Sequence, residues 1–300
     1  MRMFHNQQGD EVIKLPRMRD MKSKPEYLPP AIPRDLANRI IRLHGDPVVW
    51  WVGQFLKYIL RPKESTLKYL RNIEKHRNAA LPMVGLHIRR TDKLEKEAEF
   101  HSVAEYMEHV EQYFKLLELK CSNNSAIKQI YISSDDPSAI VELKLKFPRY
   151  TFIGDESRAK SASTSNRYSL DSLQKLVADI HMLSSSDFIV CTFSSNMCRL
   201  AYEIQQQRYA DGSWRFKSLD DIWYYAIKWD IRASHTQKAI FEHFAKSPNQ
   251  INFKVGDIIN VETNLWNGYN KGRNNANGES GHYPLYKVKE RLKIVPFPRL

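Results

Sequence analysis

With 300 residues and 42% hydrophobic content, the chain can bury a sizeable core, which excludes a disordered polypeptide. Its 46 lysines and arginines against 34 aspartates and glutamates give a formal net charge of +12, which favours phosphate-bearing small molecules, other polyanions or anionic membranes. The basic residues are spread along the chain rather than gathered into an arm, so nucleic acid is not the expected partner.

Residues 1–33 are proline-rich and charged, and read as a linker leading into a helix after Pro33. Helical patterns fill 34–80. The most apolar stretch, "PVVWWVGQFLKYIL" at 47–60, is broken by Gln54 and Lys57. It falls short of the roughly 20 apolar residues of a membrane span and reads as a core helix. The first residues lack the apolar centre of a signal peptide, so the residues taken alone describe a soluble, cytoplasmic chain.

From "PMVGLHI" onward, strand and helix patterns alternate. The helix after this strand opens on a capping box, Ser102 with Glu105, and carries Val103, Met107, Val110, Phe114 and Leu117 at helical spacing. "QIYIS" is a second strand, and "DDPS" starts a helix with Asp136 as cap and Pro137 at its first position. "RYTFIG" is a third strand. "SLDSLQKLVADIHMLSS" is a third helix, expected to bury Leu173, Leu176, Val177, Ile180 and Leu183, and "DFIVCTF" is a strand running into the helix "MCRLAYEIQQQ". Four strand–helix units in succession predict an α/β fold, a Rossmann-like parallel sheet spanning 34–226.

Residues 227–300 change texture: short β-like runs are separated by Gly, Asn and Pro, the pattern of a small all-β barrel. "GDII", a tryptophan and "YPLYKVK" in that order resemble an SH3 domain. The loop "AKSPNQINFKVGD" has no carboxylate before Asp257, so reading of proline-rich peptides is not expected of it.

Ligands of open parallel sheets bind outside the carboxyl ends of the strands. Three clusters fall at that edge. In "HIRRTDKLEKE", Arg89 and Arg90 suit forked recognition of phosphate and Lys93 adds a compact charge, whereas a surface ion-pair set with Asp92, Glu95 and Glu97 is the bland alternative. His87, inside the apolar run, reads by itself as a core histidine. In "SSDDP", the cap explains Asp136 and leaves Asp135 over. In "CTFSSN", Ser194 and Ser195 at a helix start offer backbone N–H groups to an anion, or serve as an ordinary cap. Asp179, at the edge of an apolar helix face, needs a partner, which the N–H donors of a base such as guanine would supply.

The three cysteines, Cys121, Cys191 and Cys198, match no zinc spacing, and no metal site is expected. Cys191 and Cys198 close a small loop only in an oxidising compartment. Asn123-Asn124-Ser125 is a formal N-glycosylation triplet. No glycine-rich phosphate loop appears among the 11 glycines, so phosphate must be held by side chains and a helix end.

"YLPPAIPRDLANRIIRLHGDPVVWWVGQFLKYI", "HIRRTDK", "EAEFHSVAEYMEHVE", "SSDDPS", "DIHMLSSSDFIVCTFSSNMCRLAYEI", "SLDDIWYY", "GDII", "WNGY" and "YPLYKVK" together resemble the α-1,6-fucosyltransferases of N-glycan core fucosylation, from about residue 27 to the end. The resemblance implies a nucleotide-sugar domain of the GT-B type followed by an SH3-like domain. It implies an inverting transfer of L-fucose from GDP-β-L-fucose to the 6-hydroxyl of the innermost Asn-linked GlcNAc, without metal or other cofactor.

On this sequence it places Arg89 and Arg90 at the diphosphate, His87 and Asp179 at the guanosine, and Ser195 on a phosphate oxygen. Glu97 becomes the general base, oriented by Lys93. Tyr106, Asp135 and Asp136 are associated with activity, and Asp220, Asp221 and Lys271 with the acceptor glycan. It further implies the Golgi lumen, a type II membrane protein in full-length form with an anchor missing from this chain, and a Cys191–Cys198 disulfide that leaves Cys121 unpaired. The full-length form is a candidate homodimer. Leu265 stands where the family often has histidine, and Asn196 where it has glutamine. With the amino-terminal part missing, the alternative expectation is an inactive pseudoenzyme or an SH3-bearing glycan or adaptor binding module.

Overall fold

The computed structural model describes residues 3–4, 13–14, 25–27, 31–75, 77, 82–90, 99–120, 128–154, 156–161, 169–220, 236–265 and 267–298. In chain order, β1 (Met3–Phe4) and β2 (Ile13–Lys14) form an antiparallel pair, followed by β3 (Ile32–Pro33). The helices α1 (Ala37–Leu43), α2 (Pro47–Ile59) and α3 (Glu64–Glu74) come next. The alternating region runs β4 (Met83–Ile88), α4 (Val103–Lys120), β5 (Gln129–Ser134), α5 (Pro137–Lys146), β6 (Thr151–Ile153), α6 (Glu156–Ser161), α7 (Leu170–Ser184), β7 (Phe188–Cys191), α8 (Asn196–Gln205) and β8 (Phe216–Ser218). The chain closes with β9 (Thr236–Ala239), β10 (Ile258–Asn264), β11 (Tyr269–Asn274), β12 (Ser280–Pro284), β13 (Val288–Glu290) and β14 (Ile294–Val295).

Five strands form one parallel sheet in the order β6-β5-β4-β7-β8. The chain winds outward from β4 through β6, then returns to the other side of β4, so winding reverses between β4 and β7. Such a reversal opens a crevice at the carboxyl ends of the two strands. Because the winding reverses, crossovers lie on both faces. Val84, Leu86 and Ile88 of β4 pack with Val103, Met107, Val110 and Phe114 of α4 and Ile140 of α5, while Met83, Tyr131 and Ile189 pack with Met182 and Leu183 of α7 and Ala201 of α8. A sheet covered on both faces explains the unbroken burial of β4 and β5.

Local chemistry sets the helix starts as expected. The Ser102 N–H donates to Glu105 Oε1 at 2.8 Å and the Glu105 N–H to Ser102 Oγ at 3.3 Å, a reciprocal capping box. Asp136 caps α5 by accepting from the Ser138 N–H at 2.9 Å. The expected face of α7 holds at Leu183 and, half-buried, at Val177, and is corrected at its start: Leu173 and Leu176 are exposed, and Ser172, Ala178, Asp179, Met182, Leu183 and Ser184 are the buried set. The wall that α7 meets is partly polar, carrying Tyr131 and Ser133, so counting apolar residues misses the polar part of the buried stripe.

Residues 236–290 contain an antiparallel sheet of order β12-β11-β10-β9-β13, over Ala239, Ile251, Phe253, Ile259, Tyr283, Leu285 and Val288. The end of the expected linker is not loose. Ile32 is fully buried and β3 pairs in parallel with β14, because Ile32 joins Ala37 and Val48 in a small cluster with Leu292 beside it.

Helix α2 is held on α8 at close range. A Cβ added at Gly53 would lie 2.5 Å from the Glu203 carbonyl oxygen, a backbone atom that cannot swing aside. Gly53→Ala should therefore force the two helices apart and destabilise the protein by about 1–3 kcal/mol, read as a lower urea midpoint. An unchanged midpoint would show that the α2–α8 contact is slack.

Candidate active site

The period-two alternation of a strand sorts the adjacent arginines to opposite sides of the sheet. Gly85, His87 and Arg89 continue one side, and Leu86, Ile88 and Arg90 the other. Arg89, just beyond the strand end, has its Nε 3.4 Å from Asp135 Oδ2 and is close enough to His87 to act on its charge. Arg90 turns towards α4 and α5: Nη1 lies 3.2 Å from Glu142 Oε2 and 3.8 Å from Asp136 Oδ2, Nη2 donates to the His101 carbonyl at 3.3 Å, and the guanidinium covers the Phe100 ring. Arg90 is thus committed to internal partners and braces the strand end. Asp135 ties both together, since its Oδ1 also accepts the Arg90 backbone N–H at 2.9 Å. Within "SSDDP", Asp136 caps and Asp135 latches.

His87 is buried and sits opposite Ser133 in the parallel register of β4 and β5. Its Nδ1 is 3.4 Å from Ser133 Oγ and its Nε2 is 2.9 Å from Ser195 Oγ. Ser133 donates its hydroxyl proton to Asp179 Oδ2 at 2.9 Å, so towards His87 its oxygen can only accept. This assigns the ring proton to Nδ1 and leaves Nε2 to accept from the Ser195 hydroxyl. Burial holds the imidazole at about 4, with Asp135 opposing and Arg89 reinforcing the shift, so His87 is neutral near pH 7.

Asp179 is satisfied by the protein itself. Tyr131 donates its hydroxyl to Oδ1 at 2.6 Å, Ser133 occupies Oδ2, and Arg158 Nη1 approaches Oδ1 at 3.6 Å. Burial pushes this carboxyl up, and the Tyr131 and Ser133 hydrogen bonds and Arg158 work against that rise. The partner that sequence reasoning left to a ligand is supplied by Tyr131, Ser133 and Arg158, none of which a motif had singled out. Ser133 was reachable as the residue two before Asp135 on the same strand face; Arg158 carried no signal.

The start of α8 is built differently from the expectation. Ser195 is the N-cap, but its side chain makes no cap hydrogen bond and turns to His87 instead. The Ser194 N–H is held by the Asp220 carboxylate at 3.3 Å and the Ser195 N–H by the Thr192 carbonyl at 3.0 Å. The donors that a helix start offers to an anion here are those of residues 196–198. Asp220, which also accepts from Ser218 Oγ at 2.9 Å, is buried and braces this turn, and it borders a cavity of ≈250 Å³ shared with Glu105, Glu108, His109 and Lys217.

Tyr106 bonds the Thr192 side chain from α4, and burial raises its hydroxyl well above the ordinary range. The Cys191–Cys198 disulfide spans the same turn, linking the end of β7 to α8, as the resemblance implied. Lys271, on β11, is exposed, with Nζ 3.7 Å from Glu262. Leu265 closes the β10–β11 turn through its N–H to the Tyr269 carbonyl. Glu97, Lys93, Asp221, Cys121 and Asn123 lie outside the described residues. Among the described residues no group of three His, Cys, Asp or Glu side chains is arranged to hold a metal ion.

The family described as alpha-(1,6)-fucosyltransferase N- and catalytic domains matches residues 2–224. The alpha-(1,6)-fucosyltransferase of Drosophila melanogaster is 43% identical over 288 residues, covering 96% of this chain and 46% of its own length. That of Caenorhabditis elegans is 39% identical over 293 residues, covering 96% of this chain and 51% of its own length. The chain thus spans about half the length of these curated relatives. The crystal structure of the C-terminal SH3 domain of myosin IB from Entamoeba histolytica aligns with 19% of this chain and 86% of its own at 36% identity, with a TM-score of 0.18.

A buried neutral histidine has a pH signature. With a folded value of about 4 against 6.5 in the unfolded chain, the unfolded state takes up the proton first as pH falls. Stability carried by His87 is complete above pH 6.5 and is lost on the way down to about 4, by roughly 3 kcal/mol. Between pH 7 and 4.5 the wild type should lose more of its urea midpoint than His87→Gln does. Equal losses would mean that His87 is already charged in the folded state.

Proposed function

We propose a function from one premise: the chain belongs to the alpha-(1,6)-fucosyltransferase family. It is the nucleotide-sugar-binding and catalytic part of an inverting glycosyltransferase, moving L-fucose from GDP-β-L-fucose to the 6-hydroxyl of the innermost Asn-linked GlcNAc of N-glycans, without metal or cofactor. The observation that supports this reading best is the convergence of His87, Arg89, Asp135 and Ser195 at the carboxyl ends of β4, β5 and β7, where sheet winding reverses.

Each side chain then has a task. Asp135 pins Arg89 at Nε, so the guanidinium is oriented before a diphosphate arrives. A pre-set fork loses less side-chain freedom on binding. The first N–H groups of α8 and its positive dipole end stabilise the phosphate that leaves. Ser195 takes a phosphate oxygen by turning its hydroxyl from His87, and Asp179 with His87 addresses the guanosine. Arg90, Asp136 and Tyr106 act as positioning residues.

In the transfer itself the acceptor oxygen attacks the anomeric carbon from the face opposite GDP. Glu97, oriented by Lys93, takes the hydroxyl proton, and the bond to GDP breaks with its electron pair on the phosphate. Asp220, Asp221 and Lys271 are assigned to the acceptor glycan, with residues 227–300 serving as an SH3-like domain turned to carbohydrate. The Cys191–Cys198 disulfide suits a Golgi lumen, and among the described residues no helix is long and apolar enough to cross a membrane.

Calorimetry should show GDP binding to the wild type and a loss of at least about tenfold in Arg89→Ala. Equal binding by both would remove Arg89 from the donor site. In a chain of the relatives' full length, Glu97→Gln should abolish transfer of labelled fucose to a biantennary glycopeptide while GDP affinity stays within about twofold. Near-normal turnover would refute Glu97 as the base. The same assay on the chain as it stands separates an enzyme from a binding module: retention of the glycopeptide without transfer would mark a glycan-binding pseudoenzyme, to which Leu265 is suited.

A further inference from the structure

Arg158 stands beside the carboxylate assigned above to guanosine, and its placement is specific. It lies in α6, which follows β6 at the sheet edge and packs on α7 and β5. Its Nη1 donates to the Tyr131 hydroxyl at 2.9 Å and lies 3.6 Å from Asp179 Oδ1. Behind this pair, Tyr131 and Ser133 are sealed from solvent, at 0% and 3% exposure, while the Asp179 and Arg158 side chains keep 12% and 16%. The hydroxyls therefore back the pair from inside, and the carboxylate and guanidinium form its outward edge.

That edge carries an acceptor directly beside a donor. A planar ligand that matches it needs an N–H next to a carbonyl oxygen in one ring. Guanine has this edge: N1–H and the 2-amino group donate, and O6 accepts. Adenine presents the reverse, an accepting N1 beside a donating amino group, and would set its lone pair against the carboxylate. An aspartate alone reads only the donors. The guanidinium adds recognition of O6, and its planar fork lets it keep Tyr131 through Nη1 while doing so.

We infer that Arg158 is a specificity-determining residue of the nucleotide site, donating to the base carbonyl while Asp179 accepts from the ring N–H and exocyclic amine. This rests on the GDP reading above. The same structure admits a rival role, in which Arg158 merely neutralises Asp179 or occupies the base position until displaced, and affinity measurements separate the three.

The test is calorimetry with GDP, IDP and ADP on the wild type, Arg158→Met and Arg158→Lys. The wild type should prefer GDP and IDP over ADP. In Arg158→Met, affinities for GDP and IDP should fall together by about tenfold while ADP changes by less than about twofold, collapsing the preference. Arg158→Lys keeps the charge but not the fork and should fall between them, which preserves the test should the methionine variant not fold.

Equal weakening of all three nucleotides would mean that Arg158 only maintains the fold around Asp179, and tighter GDP binding by Arg158→Met would mean that it blocks the site. Either result overturns the inference and leaves the GDP reading intact. A wild type that binds GDP and ADP alike does the same, whereas a wild type that binds no GDP overturns both.

Discussion

The parallel register of β4 and β5 is the constraint on which the site depends. Pairing His87 with Ser133 brings every polar group of consequence to a fixed level of the sheet. One step further along, the same alternation sets Arg89 beside Asp135 and sends Arg90 the other way. A slip of one residue would exchange the faces, burying Arg89 among the apolar side chains of α4 and turning Leu86 towards α7. The apolar residues Val84, Leu86 and Ile88 forbid that slip, since each is fully buried on the α4 side. The core of one face therefore fixes the chemistry of the other.

Polar groups buried at this level must all be satisfied, because an orphan donor or acceptor costs about 1–3 kcal/mol. The chain Arg158–Tyr131–Asp179–Ser133–His87–Ser195 meets the requirement with consistent donor and acceptor roles. Its polarity has a consequence for binding. Each hydroxyl is already directed, so a ligand arriving at Ser195 or Asp179 exchanges one hydrogen bond for another instead of filling a void. Under the proposed donor reading, net gain then comes from charge, in Arg89 and the dipole of α8, more than from the neutral members of the network.

The sequence disclosed the architecture well because its signals were local. The capping box at Ser102, the Asp136-Pro137 start of α5 and the fully apolar β4 each state their element within a few residues. The α7 face was only partly legible for the opposite reason: its partner surface is set by Tyr131 and Ser133, 48 and 46 residues from Asp179 in the chain, and periodicity cannot see that a buried stripe is half polar. The site followed the same division. Arg89 at a strand end, Asp179 on an apolar helix face and Ser195 at a helix start were visible as candidate chemistry, whereas His87 read by itself as a core histidine and entered only through the resemblance. That Arg90 pairs with Glu142, that the Ser194 N–H belongs to Asp220, and that Arg158 lies beside Asp179 depend on tertiary distances alone.

The turn after β7 shows how a small structure can serve two demands at once. Ser195 must lie close to His87, yet α8 must begin there with donors open towards the crevice. The Asp220 carboxylate on the Ser194 N–H, the Thr192 side chain bonded to Tyr106, and the disulfide from Cys191 to Cys198 each remove one freedom of the turn. None of these three needs to touch a ligand to matter. Held this way, Ser195 does not cap its own helix, and its hydroxyl is released to the histidine. Loss of one brace would let Ser195 return to the ordinary capping role that its position favours, withdrawing it from the site without any change in the residues that line it.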